Sequence, residues 1–190
     1  MIREKMIEAN PENESRFTLT DRLTDFEAVI ATGSNNTAQH FEYYFRDYPK
    51  IIRKNRVSVA VLSGNEDKLK LEALGNDVFD YFGLGCRNVS KIFIPQYFNT
   101  DLIFEAFMPY QDIIHHNKYK NNYDYNEAIW LMGQDEFLTN GFIHLKEEKS
   151  LYSRIGSLYY ERYNDISEVE IFLQENKENI QCISLSLIHI

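Results

Sequence analysis

Phe82-Gly83-Leu84-Gly85-Cys86-Arg87-Asn88-Val89-Ser90, running directly into Lys91-Ile92-Phe93-Ile94-Pro95, decides how this chain folds. The second half is a short, mostly apolar run closed by proline, the composition of a buried strand. Residues 66–81, just upstream, carry a helical pattern, so the glycines sit where a helix hands over to a sheet. Glycine at such a place lets the backbone approach closely and leaves the Cys86 sulfur unshielded. Gly, Arg and Asn lie within two residues of Cys86, whereas a structural cysteine has apolar neighbours on both sides. By itself the motif serves a nucleophile and an ordinary loop thiol equally well.

Outward from this point, residues 26–31 and 57–62 read as two further short buried strands. Turns at Thr32-Gly33-Ser34 and Ser63-Gly64-Asn65 close them. Residues 38–48 place Phe41, Tyr44, Phe45 and Tyr48 at i, i+3, i+4 and i+7, the pattern of an amphipathic helix, and Pro49 ends it. The helix over 66–81 is expected to bury Leu69, Ala73, Leu74, Phe79 and Phe82. Downstream, a helix over 102–114 should kink or end at Pro109. A helix over 123–132, strands at 142–145 and 156–160, a helix over 167–176 and a strand at 180–183 complete the chain. Strands alternate with helices throughout, so the class is α/β with a mostly parallel sheet.

Bulk properties narrow the partners. The formal net charge of −9 argues against a nucleic-acid surface, which needs a basic face. No apolar run approaches the roughly 20 residues of a membrane span, and Met1-Ile2-Arg3-Glu4-Lys5 opens no apolar leader. An acidic, Lys- and Glu-rich composition with 2 cysteines reads as cytoplasmic, with both thiols reduced. Cys182, between Ile180 and Ile183, is expected in the core. Adjacent His115 and His116 point apart and read as solvated loop residues, so no metal site is expected. His40 and His144 are isolated and read as structural or surface residues. Residues 119–125, rich in Tyr and Asn, read as a loop that either packs its tyrosines on the domain or lines an acyl or CoA entrance. The last hexapeptide, 185–190, reads as translated sequencing-adapter DNA, so fold reasoning is expected to stop near Ser184 in a truncated gene product.

The order strand, Thr32-Gly33-Ser34, helix, then Lys54-Asn55, then Gly85-Cys86, 52 positions after Ser34, resembles the aldehyde dehydrogenase superfamily. The stretches 28–36, 48–56, 81–91 and 121–126 are more similar to its acyl-CoA reductase branch in Bacteroidetes-type bacteria, related to the fatty acyl reductase of bacterial luminescence. The resemblance covers about residues 20–183. It implies the end of a Rossmann-type cofactor-binding domain over 1–62 and an incomplete α/β catalytic domain over 63–184. It further implies that Cys86 attacks an acyl-CoA or other acyl thioester, that NADPH reduces the acyl-enzyme to a fatty aldehyde, and that Thr32, Gly33 and Ser34 face the cofactor. A homo-oligomer is compatible with this.

The chain also departs from that superfamily. Residues 49–53 hold no carboxylate where hydrolytic members place the Glu that activates water, which suits release by hydride or CoA. The Glu-x-Phe-Gly-Pro turn that holds the nicotinamide ribose is expected near 151–156, where its residues are not found. An acyl transferase or acyl-binding protein that forms the thioester without reducing it, or an inactive fragment of the reductase, stays open at this point.

Overall fold

The alternation of apolar runs and amphipathic helices builds two parallel sheets of unequal size in the computed structural model, which describes residues 2–16, 18–33 and 35–185. The chain divides into two units, Met1–Lys54 and Asn55–Ile190.

In the first unit, α1 (Ile2–Ala9) and a 3-10 turn (Pro11–Arg16) precede β1 (Val29–Thr32), α2 (Asn35–Tyr44) and β2 (Lys50–Arg53). Strands β1 and β2 pair in parallel, Ile30 beside Ile51, with α2 as the crossover. Three aromatic contacts hold the unit together: Phe26 meets Phe45 at 5.8 Å and Tyr48 at 4.6 Å, and Phe41 meets Phe45 at 6.0 Å. Of the stripe read from the sequence, Phe41, Phe45 and Tyr48 make these contacts while Tyr44 is exposed, and α2 ends at Tyr44, before Phe45 and Tyr48. Strand β2 is not expected from sequence, since Lys50-Ile51-Ile52-Arg53 is too short and too basic to stand out.

The second unit holds β3 (Val57–Val61), α3 (Lys68–Phe79), β4 (Val89–Pro95), α4 (Asp101–Phe107), α5 (Asn117–Gly133), β5 (Leu138–Thr139), β6 (His144–Glu147), β7 (Ser157–Tyr163), α6 (Ile166–Glu175) and β8 (Ile180–Leu185). The sheet order is β5-β6-β7-β4-β3-β8, parallel except for the antiparallel β5–β6 pair. An expected boundary after Leu62 differs from the division at Lys54, because β3 pairs with β4 and β8 and so belongs to the second unit.

Alternation along the central strands assigns the two faces. Ala60, Leu62, Ile92 and Ile94 pack with Leu71, Leu74, Val78, Phe79, Ile103 and Phe107 of α3 and α4. Val59, Val61 and Phe93 pack with Val169 and Phe172 of α6 on the opposite face. The class is therefore α/β with a mostly parallel sheet and helices on both faces. Within α3 the buried stripe is Leu71, Leu74, Gly75, Val78 and Phe79, so Leu74 and Phe79 are buried as expected while Leu69, Ala73 and, beyond the helix, Phe82 are exposed. Gly75 is required there, since a Cβ would lie inside van der Waals contact of the Tyr110 ring. That ring stacks on Phe79 at 4.9 Å, and its hydroxyl donates to the Glu72 carbonyl. As expected, the helix through 102–107 ends before Pro109, and a 3-10 segment, Met108–His115, takes over.

Two residues bind the layers through polar contacts. Lys91, fully buried on β4, donates through Nζ to Glu161 Oε2 (2.6 Å) and to the carbonyls of Glu148 (2.8 Å) and Lys149 (3.0 Å). His144 on β6 is also fully buried, stacked on Tyr123 at 4.0 Å. Leu185 ends β8 beside Val61, while 186–190, the rest of the expected adapter tail, lies outside the described residues. Among the described residues no helix is long and apolar enough to cross a membrane.

Candidate active site

Helix α3 ends against a 3-10 turn, Asp80–Gly83, in which Tyr81 (φ 53°), Phe82 (φ 59°) and Gly83 (φ 73°) are all left-handed. For the two residues with a Cβ this conformation costs about 1–2 kcal/mol each, so the neighbours must hold it. Leu84 N–H donates to the Tyr81 carbonyl (3.1 Å), and the Phe82 ring lies on His116 at 4.3 Å between centroids.

Asn88, 5 % exposed, organises the turn that carries the thiol. Its Oδ1 accepts from Gly85 N–H (2.7 Å), its Nδ2 donates to the Asp77 carbonyl at the end of α3 (2.9 Å), and its own N–H donates to the Gly85 carbonyl (3.0 Å). Ser58 on β3 ties the turn to the sheet: its N–H donates to the Asn88 carbonyl (3.0 Å) and its hydroxyl to the Cys86 carbonyl (3.1 Å). Both glycines of the motif are explained. Gly83 supplies a positive φ, and a Cβ on Gly85 would stand 2.6 Å from Asn88 Oδ1.

Cys86 therefore sits on a braced turn and is exposed. It opens into a shallow depression of about 370 Å³ lined by Asn76, Asp77, Asp80, Tyr81 and Arg87 among others. Burial, and secondly the charge of Asp80, push the Asp77 carboxyl above its ordinary range. Among the described residues the Cys86 backbone N–H has no hydrogen-bond partner. An accessible thiol beside an unpartnered amide donor, on a turn bonded to both α3 and β3, has the parts that nucleophilic attack on a carbonyl uses.

The other expected site residues belong to the first unit. Thr32 ends β1 with its side chain exposed; Ser34 lies outside the described residues. Gly33 N–H donates to the Arg53 carbonyl (3.2 Å), and a Cβ at this position would stand 2.8 Å from Thr37 Cγ2. Its amide is thus engaged within the unit, and the packing of α2 alone demands a glycine.

Several expectations change. Cys182 is exposed, because β8 is an edge strand on which only Ile180 is buried. Residues 119–125 lie in α5 and form no loop; Tyr119 and Tyr123 are buried and pack on the domain, with Tyr119 donating to the Phe142 carbonyl (2.9 Å), whereas Tyr125 is exposed. His115 and His116 are exposed, and His144 is structural. Near 151–156, Ser90 Oγ donates to the Leu151 carbonyl (2.7 Å) and accepts from Ser153 N–H (2.8 Å). Sequence reasoning misses Asn88 and Ser58. The only available signal is a polar side chain flanking the thiol at the mouth of an apolar strand.

Comparison of the sequence with protein-family profiles finds no match, and neither does comparison with curated proteins. Solved structures do match. An indole-3-acetaldehyde dehydrogenase of P. syringae, in complex with NAD+ and IAA, is 10 % identical with a TM-score of 0.63 over 86 % of this chain and 45 % of its own. An aldehyde dehydrogenase C from Pseudomonas syringae, in complex with NAD+ and octanal, is 9 % identical (TM-score 0.59; 87 % of this chain, 46 % of its own). A Mycobacterium tuberculosis aldehyde dehydrogenase complexed with NAD+ is 10 % identical (TM-score 0.55; 87 % and 46 %). The chain thus has the fold of aldehyde dehydrogenases over most of its length and spans less than half the length of these structures.

Proposed function

We propose that this chain carries the nucleophile of an acyl-CoA reductase, with Cys86 forming a covalent acyl thioester that is reduced to the aldehyde. The observation that carries this reading is the exposed Cys86 on a turn braced at both ends, within an aldehyde-dehydrogenase-like fold. In the first step the Cys86 thiolate attacks the thioester carbonyl. The new S–C bond forms as the C–S bond to CoA breaks, and the CoA sulfur leaves with the electron pair and takes up a proton. The Cys86 N–H, free of an internal partner among the described residues, is placed to hold the oxyanion. Asp77 lines the same depression as Cys86 and is the side chain we assign to relaying that proton.

By the resemblance, residues 49–53 stand where hydrolytic members carry the Glu that activates water and hold no carboxylate, which favours reduction of the acyl-enzyme over hydrolysis. NADPH, when bound, supplies the hydride; one proton completes the balance, giving aldehyde, NADP+ and the free Cys86 thiol. The turn between β1 and α2, at a helix N-terminus, suits the hydroxyl and phosphate groups of such a dinucleotide, with Thr32 and Ser34 as its holders and Gly33 as the turn-former. On this reading Met1–Lys54 is part of the cofactor-binding domain and the second unit is catalytic.

The test uses the chain and the longest reading frame that contains it. Incubation with octanoyl-CoA should add one octanoyl group by intact mass, absent in Cys86→Ser, and NADPH should discharge it as octanal. A wild-type protein that never acquires the group refutes the proposal. Acyl exchange with CoA but no aldehyde would instead assign an acyl transferase.

A further inference from the structure

We infer that Asn88 is the positioning residue of the Cys86 site: it fixes where the thiol and the neighbouring amide stand without touching the reacting atoms. The side chain is almost wholly buried, and each of its polar atoms is spent on backbone. Oδ1 holds the Gly85 N–H of the Leu84–Gly85 peptide, and the Asn88 N–H holds the Gly85 carbonyl of the next peptide, the one that bears the Cys86 N–H. Nδ2 reaches back to the Asp77 carbonyl and so ties the turn to the last full turn of α3. The main chain of Asn88 closes the turn on Gly85 and meets Ser58, whose hydroxyl holds the Cys86 carbonyl from the other side.

The left-handed run Tyr81, Phe82, Gly83 gives the chain between these anchors a reason to relax. Tyr81 and Phe82, both with a Cβ, oppose the native path there. Asn88 spans the run, bonding before it at Asp77 and after it at Gly85, which is the arrangement that keeps it from unwinding. Asparagine suits this position uniquely among small side chains, since one end must accept and the other donate. Aspartate retains the acceptor alone, and alanine neither.

The consequence separates two reactions of the same thiol. Alkylation needs only an exposed sulfur. Acylation by a thioester needs sulfur and amide donor held together, so it depends on the turn geometry. Loss of these hydrogen bonds should slow acylation by about tenfold or more.

Because the inference presupposes acylation of Cys86, the experiment measures both reactions on the 190-residue chain in a Cys182→Ser background, where Cys86 is the sole thiol. Rates of alkylation by iodoacetamide and of acylation by octanoyl-CoA are compared for the parent, Asn88→Ala, Asn88→Asp and Ser58→Ala, with thermal melts alongside. Asn88→Ala should lose about tenfold or more in acylation and less than about twofold in alkylation. Asn88→Asp should recover part of the loss, and Ser58→Ala should show a smaller loss of the same kind. Equal acylation-to-alkylation ratios in parent and Asn88→Ala overturn the inference while leaving the acyl-thioester reading intact. If Asn88→Ala does not fold, an unchanged ratio in Ser58→Ala overturns it. A parent that is alkylated but never acylated overturns both.

Discussion

Acidification should destabilise the second unit through His144, by an amount that the structure fixes. The ring is fully buried, stacked on Tyr123 and edge-on to Trp130 (5.3 Å, 89°) and Phe137 (5.2 Å, 78°). Burial lowers its pKa from 6.5 to about 4; the bond between Nδ1 and the Gly156 carbonyl (3.2 Å) and the charge of Asp124 oppose this without cancelling it. Nε2 has no hydrogen-bond partner, and the nearest carboxylate oxygen, Glu127 Oε1, stands 4.0 Å away on a side chain one-third exposed. The unfolded chain therefore takes up a proton near pH 6.5 that the folded unit refuses until about pH 4. Stability from this residue is complete above pH 6.5 and falls as the pH drops through that window, flattening below it. At about 1.4 kcal/mol per pH unit, the loss between pH 7.5 and 4.5 is roughly 2–3 kcal/mol. The assay is urea unfolding followed by the single Trp, Trp130, which is buried beside the histidine. Run across that pH range for wild type and His144→Gln, it cancels the carboxylates common to both. Wild type should lose roughly 2–3 kcal/mol more than the variant. Parallel loss in both proteins would refute the assignment.

Three other expected outcomes rest on particular contacts. Lys91→Met removes the donor to two carbonyls and the partner of Glu161, and should cost about 2–4 kcal/mol in urea unfolding, with new proteolytic cleavage at 148–151; an unchanged midpoint and cleavage pattern would show that water replaces the ammonium. Gly85→Ala drives a Cβ to within 2.6 Å of Asn88 Oδ1 and should slow acylation of Cys86 while costing about 1–3 kcal/mol in a thermal melt, against no cost if the turn is loose. Since Cys86 and Cys182 are both exposed, titration of the native chain with a thiol reagent should count two fast thiols without denaturant, where a buried Cys182 would leave one.

The central architecture was legible because residues 57–62 and 91–95 are short apolar runs set between helical stripes, which only a buried parallel sheet accommodates. The Cys86 turn was legible for a local reason, glycine at a helix-to-strand junction. What failed to show depends on contacts distant in sequence. Cys182 has isoleucines near it on the chain, yet β8 is an edge strand, and the chain alone does not reveal which strand ends the sheet. Strands β2 and β5 are too short to carry a period. The stripe of α3 was misplaced because Leu69 competes with Leu71 for the same pattern, and only packing against Ile92 and Phe107 chooses between them. Asn88 reads as an ordinary turn residue until the left-handed run before it is known.

That clamp has a corollary for how the site could be altered. Every bond holding the Cys86 turn ends on a backbone atom of Asp77, Gly85, Cys86 or Asn88, and none uses the side chains of Leu84 or Arg87. Both of those side chains are exposed. Exchanging them leaves each of those bonds in place, so variation at 87, which lines the depression, offers a way to redecorate its mouth on one unchanged frame.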